Sequence, residues 1–188
     1  VYVYWSRKAA TKLMADEDKH DFFRRFIYHK VNQKITIGEA LRSMELEQLL
    51  PELSDWQEIW DVWERKSGAG REQKFIYLRA EDELTDKNAY LLRRFIEAKW
   101  ERVMTHYEEQ QVAAEKYYRE ILHGCENVAA VDIGWAGSGA LALSHLVEKV
   151  WGMDCRITGI VAGTNTIHNA QPDASDPFLQ DGRLVAYL

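Results

Sequence analysis

The chain predicts an α/β fold: a three-layer, mostly parallel, Rossmann-like sheet with a helical insertion. Three observations predict it. "VAAVDIG" (128–134) and "CRITGIVAG" (155–163) flank a helical stretch over 138–150, the strand–helix–strand order of a parallel βαβ unit with a right-handed crossover. "VYVYW" (1–5) reads as a further strand that runs straight into a helix. Between Asp18 and about Ser67 the strand signal disappears and helical spacing replaces it. With 188 residues, 46% of them hydrophobic, the chain can bury one core together with a helical subdomain.

In chain order, the strand 1–5 is followed by "SRKAATKLMA", a helix for which Ser6 is placed as the N-cap. "DED" (16–18) superficially offers the D-x-D of metal-dependent transferases, but no apolar strand precedes it and it reads as the start of a helix at Lys19. "DFFRRFIYHKV" carries Phe22, Phe23, Phe26 and Ile27 at helical spacing. "TIGEALRSM" opens with a T-x-x-E capping box at Thr36 and Glu39, and "SDWQEIWDVWERK" opens with S-x-x-Q at Ser54 and Gln57. The second of these predicts a helix with Trp56, Trp60 and Trp63 on one stripe. "SGAG" (67–70) closes the insertion, and "QKFIYLRA" reads as a brief strand or an irregular connection.

Residues 86–122 keep Leu92, Phe95, Ile96, Trp100, Val103, Tyr107, Ala114, Tyr118 and Ile121 near one helical face, with a polar interruption at Glu108–Gln111. They predict one long helix, or two with a bend. The chain closes on another strand-like run, "RLVAYL", and has no initiator methionine, so we expect an excerpt of a longer protein. The expected division is an α/β domain over 1–17 and 71–188 with a helical insertion over 18–70.

A net charge of −6 offers no basic face for duplex nucleic acid. Cys125 and Cys155 form no C-x-x-C pair and lie beside no histidine at metal spacing, which argues against a zinc site or a disulfide framework and for buried thiols in a reducing compartment. No apolar stretch approaches the roughly 20 residues of a membrane span, and a cytoplasmic location is the expectation.

Open α/β sheets bind ligands outside the carboxyl ends of their strands. Three loops qualify: Ser6–Lys8, Asp132–Gly139, and Gly163 to about Pro177. Gly134, Gly137 and Gly139, with Ser138 among them, permit close backbone approach at a helix start that would favour an anion. "GWAGSG" matches neither the Walker A loop nor the full dinucleotide spacing, and a tight turn needing glycine for packing is the competing explanation. Arg7 could clamp a phosphate or carboxylate bidentately, or pair with Asp132. Asp132, ending an apolar strand, needs a partner: a divalent cation such as Mg, Arg7, a sugar hydroxyl, or a proton taken as general base. Trp135 could stack on a sugar or base, or plug the space under the helix. Asn165 and His168 sit in a polar loop that would serve as a lid or substrate rim, or as plain surface. No serine or cysteine nucleophile comes with a histidine partner, and "GSG" lacks the G-x-S-x-G elbow.

"YWSRKAA", "TIGEAL" and "VDIGWAGSG" together resemble the C-terminal region of bacterial haloacid-dehalogenase-like (HAD superfamily) proteins associated with surface-polysaccharide biosynthesis. The recurrent S-R-x-A and D-I-G-W segments of that family fall on Ser6, Arg7, Ala9, Asp132, Ile133, Gly134 and Trp135. The resemblance implies a second α/β region following a hydrolase domain, whose D-x-D-x-T nucleophile is not among these residues. Two functions follow as expectations. One is a ligand-binding or catalytic domain for a phosphorylated sugar or nucleotide-sugar, acting by phosphoryl or glycosyl transfer or hydrolysis. The other is a noncatalytic module for the upstream domain, docking through the aromatic segments 54–63 and 86–122.

Overall fold

The structure is a computed structural model that describes residues 5–63, 71–132, 137–162 and 176–187, and of 58–63, 71–75, 132 and 176 the backbone alone. It is a mixed α/β protein whose described residues include a three-stranded parallel sheet. The chain divides into two compact units, Val1–Asp16 with Tyr107–Leu188, and Glu17–His106.

The second unit starts with α2 (Lys19–Phe26), after α1 (Arg7–Leu13) of the other unit. Asp18 caps α2, its Oδ1 accepting from the Asp21 amide at 2.9 Å, so the acidic run 16–18 is a helix start. Phe22, Phe23 and Phe26 are buried, with Phe22 edge-on to Trp100 at 5.5 Å. In α3 (Ile37–Ser43) the capping box forms as the spacing predicts: Thr36 Oγ1 accepts from Glu39 N–H at 3.1 Å, and Thr36 N–H donates to Glu39 Oε2 at 2.7 Å. Gly38 donates its N–H to the Ala80 carbonyl at 2.8 Å, an approach at which a Cβ would stand only 3.0 Å from that oxygen. α4 (Leu50–Leu53) follows.

The helix expected over 54–63 is instead a strand. β1 (Gln57–Trp63) pairs antiparallel with β2 (Arg71–Tyr77) over seven residues, Gln57 opposite Tyr77 and Trp63 opposite Arg71. Ser54 does not start a helix but ends one, as the C-cap of α4, its hydroxyl donating back to the Pro51 carbonyl at 3.2 Å. The β-branched and aromatic residues of "EIWDVW" favour a pleated backbone, and β2 supplies the ladder that a helix would have had to find within itself. Trp56 therefore stands ahead of the strand, edge-on to Phe95 at 5.8 Å, and shares no helical stripe with Trp60 and Trp63.

The segment 86–122 forms two helices, α5 (Asp86–Glu97) and α6 (Trp100–Ile121). The break falls at Ala98–Lys99, not at the polar interruption, through which α6 runs on. The polar residues hold α1: Lys12 Nζ donates to Gln110 Oε1 at 3.1 Å, and Gln111 Nε2 donates to the Leu13 carbonyl at 3.3 Å. The boundary between the two units lies inside α6, at residues 106 and 107.

In the first unit, β3 (Asn127–Asp132) leads to α7 (Ser138–His145), which continues as a π-helical turn over Leu146–Val150 before β4 (Arg156–Val161). α8 (Asp176–Gln180) and β5 (Leu184–Ala186) follow. The order is β3-β4-β5, all parallel, with Asp132 opposite Val161 and Val161 opposite Ala186. Residues 1–4 of the expected first strand lie outside the described residues, and Trp5 precedes α1 in irregular backbone. On one face of the sheet Ala10 of α1, Tyr118 and Leu122 of α6, Leu143, Leu146 and Val147 join Ile157 in a single core. The other face carries a cross-strand row, Val131, Ile160 and Val185.

Two contacts make α7 lie close on the sheet. Gly137 has φ +60°, and a Cβ there would overlap the side chain of Leu184. At Gly159 a Cβ would stand 2.8 Å from Leu184 Cδ1 and 2.9 Å from Ala140 Cβ. The π turn places Glu148 to finish the edge: its Oε1 accepts from Ser144 Oγ at 2.8 Å and from Ile157 N–H at 3.0 Å, at a position of β4 that the short β5 does not reach.

Two expected outcomes follow. Gly159→Ala forces a methyl between Leu184 and Ala140 and should lower stability by about 1–3 kcal/mol in denaturant unfolding, overpacking outweighing the gain from a stiffer unfolded chain. Tyr118 lies in the core, stacked on Trp151 at 5.5 Å, and burial, with Tyr117 beside it, pushes its hydroxyl up to about 12. The unfolded chain loses that proton near its ordinary value of about 10, so stability is complete below pH of about 10 and falls by about 2–3 kcal/mol as pH rises towards 12. Tyr118→Phe should remove most of that alkaline decline.

Candidate functional site

The carboxyl ends of β3, β4 and β5 lie at one edge of the sheet, because all three run parallel. Asp132 is the last residue of β3 and therefore stands at that edge. α7 begins six residues later, at Ser138, with Gly137 as its N-cap in the left-handed region and no side chain of the described residues capping it. The amides of its first turn are the donors that a helix leaves unpaired, and the helix dipole adds a partial positive charge there.

The start of α1 is brought to the same place. Trp5, one residue before the cap, donates its indole Nε1–H to the Gly139 carbonyl at 2.9 Å. Its ring is edge-on to Tyr118 at 5.7 Å, which fixes the indole from its other side. This hydrogen bond joins residues 134 apart in sequence and sets the N-termini of α1 and α7 side by side. Ser6 is the N-cap that the sequence predicts, with Oγ accepting from Ala9 N–H at 3.1 Å. Its hydroxyl oxygen thus has a structural task before any ligand role.

Arg7 is the first residue of α1, and its Nε and Nη1 atoms are shut off from solvent. Lys8, its neighbour, is exposed. A guanidinium drawn into the fold in the first turn of a helix works against the helix dipole, so a negative group nearby, protein or ligand, would relieve it. An Arg7–Asp132 pair is one such arrangement, but the Asp132 side chain lies outside the described residues.

Of the candidate residues, the structure brings together Ser6, Arg7, Gly137, Ser138 and Gly139, with the Asp132 backbone at the same sheet edge. Gly134, Trp135, Asn165 and His168 lie outside the described residues. Gly137 also answers the competing explanation in its own right: both its positive φ and its contact with Leu184 require glycine, whatever the loop binds. Sequence reasoning missed Trp5 as the residue that ties the two helix starts together. It also missed Leu184, whose sole trace was an apolar position in "RLVAYL".

Among the described residues, no three carboxylate, imidazole or thiol side chains gather to form a metal-binding group. No helix of the described residues is long and apolar enough to cross a membrane. Set against family models, curated proteins and solved structures, the chain matches none of them.

Proposed function

We propose that the α/β unit binds a phosphorylated sugar or nucleotide-sugar at the carboxyl edge of its sheet, with the first-turn amides of α7 and the guanidinium of Arg7 on the phosphate. The observation that carries this reading is the Trp5–Gly139 hydrogen bond, which ties the approach to α1, where Arg7 is the first residue, to the first turn of α7, whose N-cap is a glycine. Ser6 and Ser138 flank the anion. Gly134 allows the loop to approach it, Trp135 stacks on the sugar or base, and Asn165 with His168 closes the rim. Asp132 acts as the base of a phosphoryl or glycosyl transfer or hydrolysis, or as the ligand of a magnesium ion. The resemblance of the Ser6–Arg7 and Asp132–Trp135 segments to haloacid-dehalogenase-like proteins of surface-polysaccharide biosynthesis supports this substrate class, and with it a cytoplasmic location and an upstream domain as partner.

A three-layer, Rossmann-like arrangement belongs to the same reading. It is supported by the parallel order of β3, β4 and β5 and by the uncovered apolar positions Val131 and Val185, since parallel sheets as a rule bury both faces. One observation favours a second function, a noncatalytic module that positions the upstream domain. Gly137 and Gly159 are both required by the packing of Leu184, so these two glycines need no ligand to account for them.

Thermal unfolding separates the two. At ten times Kd, inorganic phosphate or glucose 1-phosphate should stabilise the chain by about 1.4 kcal/mol, a rise of about 2–5 °C in Tm. Arg7→Gln should abolish the rise with the circular dichroism spectrum unchanged. Asp132→Asn should tighten phosphate binding if the carboxylate is a base, or abolish a magnesium-dependent shift if it holds the metal. A wild-type Tm that neither compound moves would leave the noncatalytic module.

A further inference from the structure

Cys125 and Cys155 occupy corresponding places at the opposite, amino edge of the sheet. Cys125 stands two residues before β3 and Cys155 one residue before β4. The first rungs of the two strands, Asn127 and Arg156, are register partners, and Arg156 N–H donates to the Glu126 carbonyl at 2.8 Å. Continuing that register puts Cys155 opposite Glu126 with Cys125 one residue further along the neighbouring chain, so at a strand spacing of about 4.8 Å and a rise of about 3.3 Å per residue the two α-carbons would lie diagonally about 6 Å apart, within the disulfide range.

The local chain turns both side chains to the helix-covered face. Gly124, at φ +74°, and the Cys125 N–H bond to the Leu122 carbonyl at 3.0 Å bend the end of α6 back, so that Cys125 packs against the core cluster that contains Cys155. Both thiols line one open cleft of about 520 Å³, with Leu122, His123, Met153 and Asp154 around them. Their exposures differ: Cys155 is buried and Cys125 half-buried, so the expectation of two buried thiols holds for Cys155 alone.

We propose that Cys125 and Cys155 are a reversible dithiol–disulfide pair, oxidised by hydroperoxides that enter through this cleft. Cys125 is the entry thiol. Its thiolate attacks a peroxide oxygen, the O–O bond breaks, and with hydrogen peroxide a sulfenic acid and one water form. The Cys155 sulfur then attacks the Cys125 sulfur, the S–O bond breaks, and the hydroxyl leaves as a second water with the Cys155 proton. In sum two thiols and one hydrogen peroxide give one disulfide and two waters. Cys155 is suited to the second step alone: burial pushes its thiol up, with Cys125, Glu148 and Asp154 adding to the effect, so it is a weak first nucleophile. The bond would close a loop that holds β3, α7 and its π turn, and tie together the two turns that lead into β3 and β4.

The test uses the full chain, reduced, then treated with hydrogen peroxide, blocked with N-ethylmaleimide and mapped by mass spectrometry. The expected result is a monomer lighter by two hydrogen atoms, with the Cys125 and Cys155 peptides joined, the link reversed by dithiothreitol and the oxidised chain higher in Tm. In Cys155→Ser, dimedone should label Cys125 as the sulfenic acid. Wild-type chain with both thiols still open to N-ethylmaleimide, with Cys125 oxidised to the sulfinic acid while Cys155 stays free, or with the cysteines joined between molecules would overturn the proposal.

Discussion

Everything at the sheet's carboxyl edge depends on how closely α7 lies against β4 and β5. Leu184 projects into a space that exists because residues 137 and 159 have no Cβ, and Ala140 is the small residue that completes it. A helix packed on a sheet is normally held off by its side chains. Here two glycines and an alanine let the backbone of α7 descend, and one leucine fills what remains. Because interiors are packed to crystal density, a single added methyl at this contact is felt along the whole helix. The place where α7 begins is thereby fixed relative to the ends of β4 and β5.

That fixed start is what Trp5 engages. Its hydrogen bond ends on the Gly139 carbonyl, two residues beyond the left-handed N-cap Gly137, and its ring packs against Tyr118, which in turn stacks on Trp151. The aromatic chain runs from the approach to α1, through α6, to the end of the π turn. At the far end of α7, Glu148 fastens the helix to the edge of β4 through the Ile157 amide. α7 is thus tied to the rest of its unit at both ends, by a carbonyl at its start and a carboxylate at its close. Helix amides held in place before a ligand arrives lose little entropy on binding it, which is the condition for a preorganised anion site.

Features decided by near neighbours were legible in the sequence. The Ser6 cap, the helix start after the acidic run 16–18 and the Thr36–Glu39 box each need three or four consecutive residues, and all form as read. The parallel pairing of β3 with β4 was legible too, because an apolar run, a helix and a second apolar run leave few alternatives. The strand β1 was not. Ile59, Trp60, Val62 and Trp63 fit a helical stripe as well as a pleated strand, and the choice was made by the antiparallel partner β2. Over 86–122 the sequence left one long helix or two with a bend open, and the structure has two, divided at Ala98–Lys99. Polarity at Glu108–Gln111 marks where α6 grips α1 through Gln110 and Gln111, a tertiary contact that leaves the helix unbroken. Of the candidate site, the sheet edge and the glycine at the start of α7 were legible, but the contact that ties the two helix starts together was not: no local pattern links Trp5 to Gly139.

Whether an anion sits between α7 and Arg7 is read most directly from nuclear magnetic resonance, by titrating the isotope-labelled chain with inorganic phosphate at constant ionic strength. The backbone amides of Ser138 and Gly139 and the Nε–H of Arg7 should shift together and saturate with one millimolar-range dissociation constant, while residues of the second unit stay still. Resonances of Ser138, Gly139 and Arg7 that do not move, or that move equally with chloride, would contradict an anion site there.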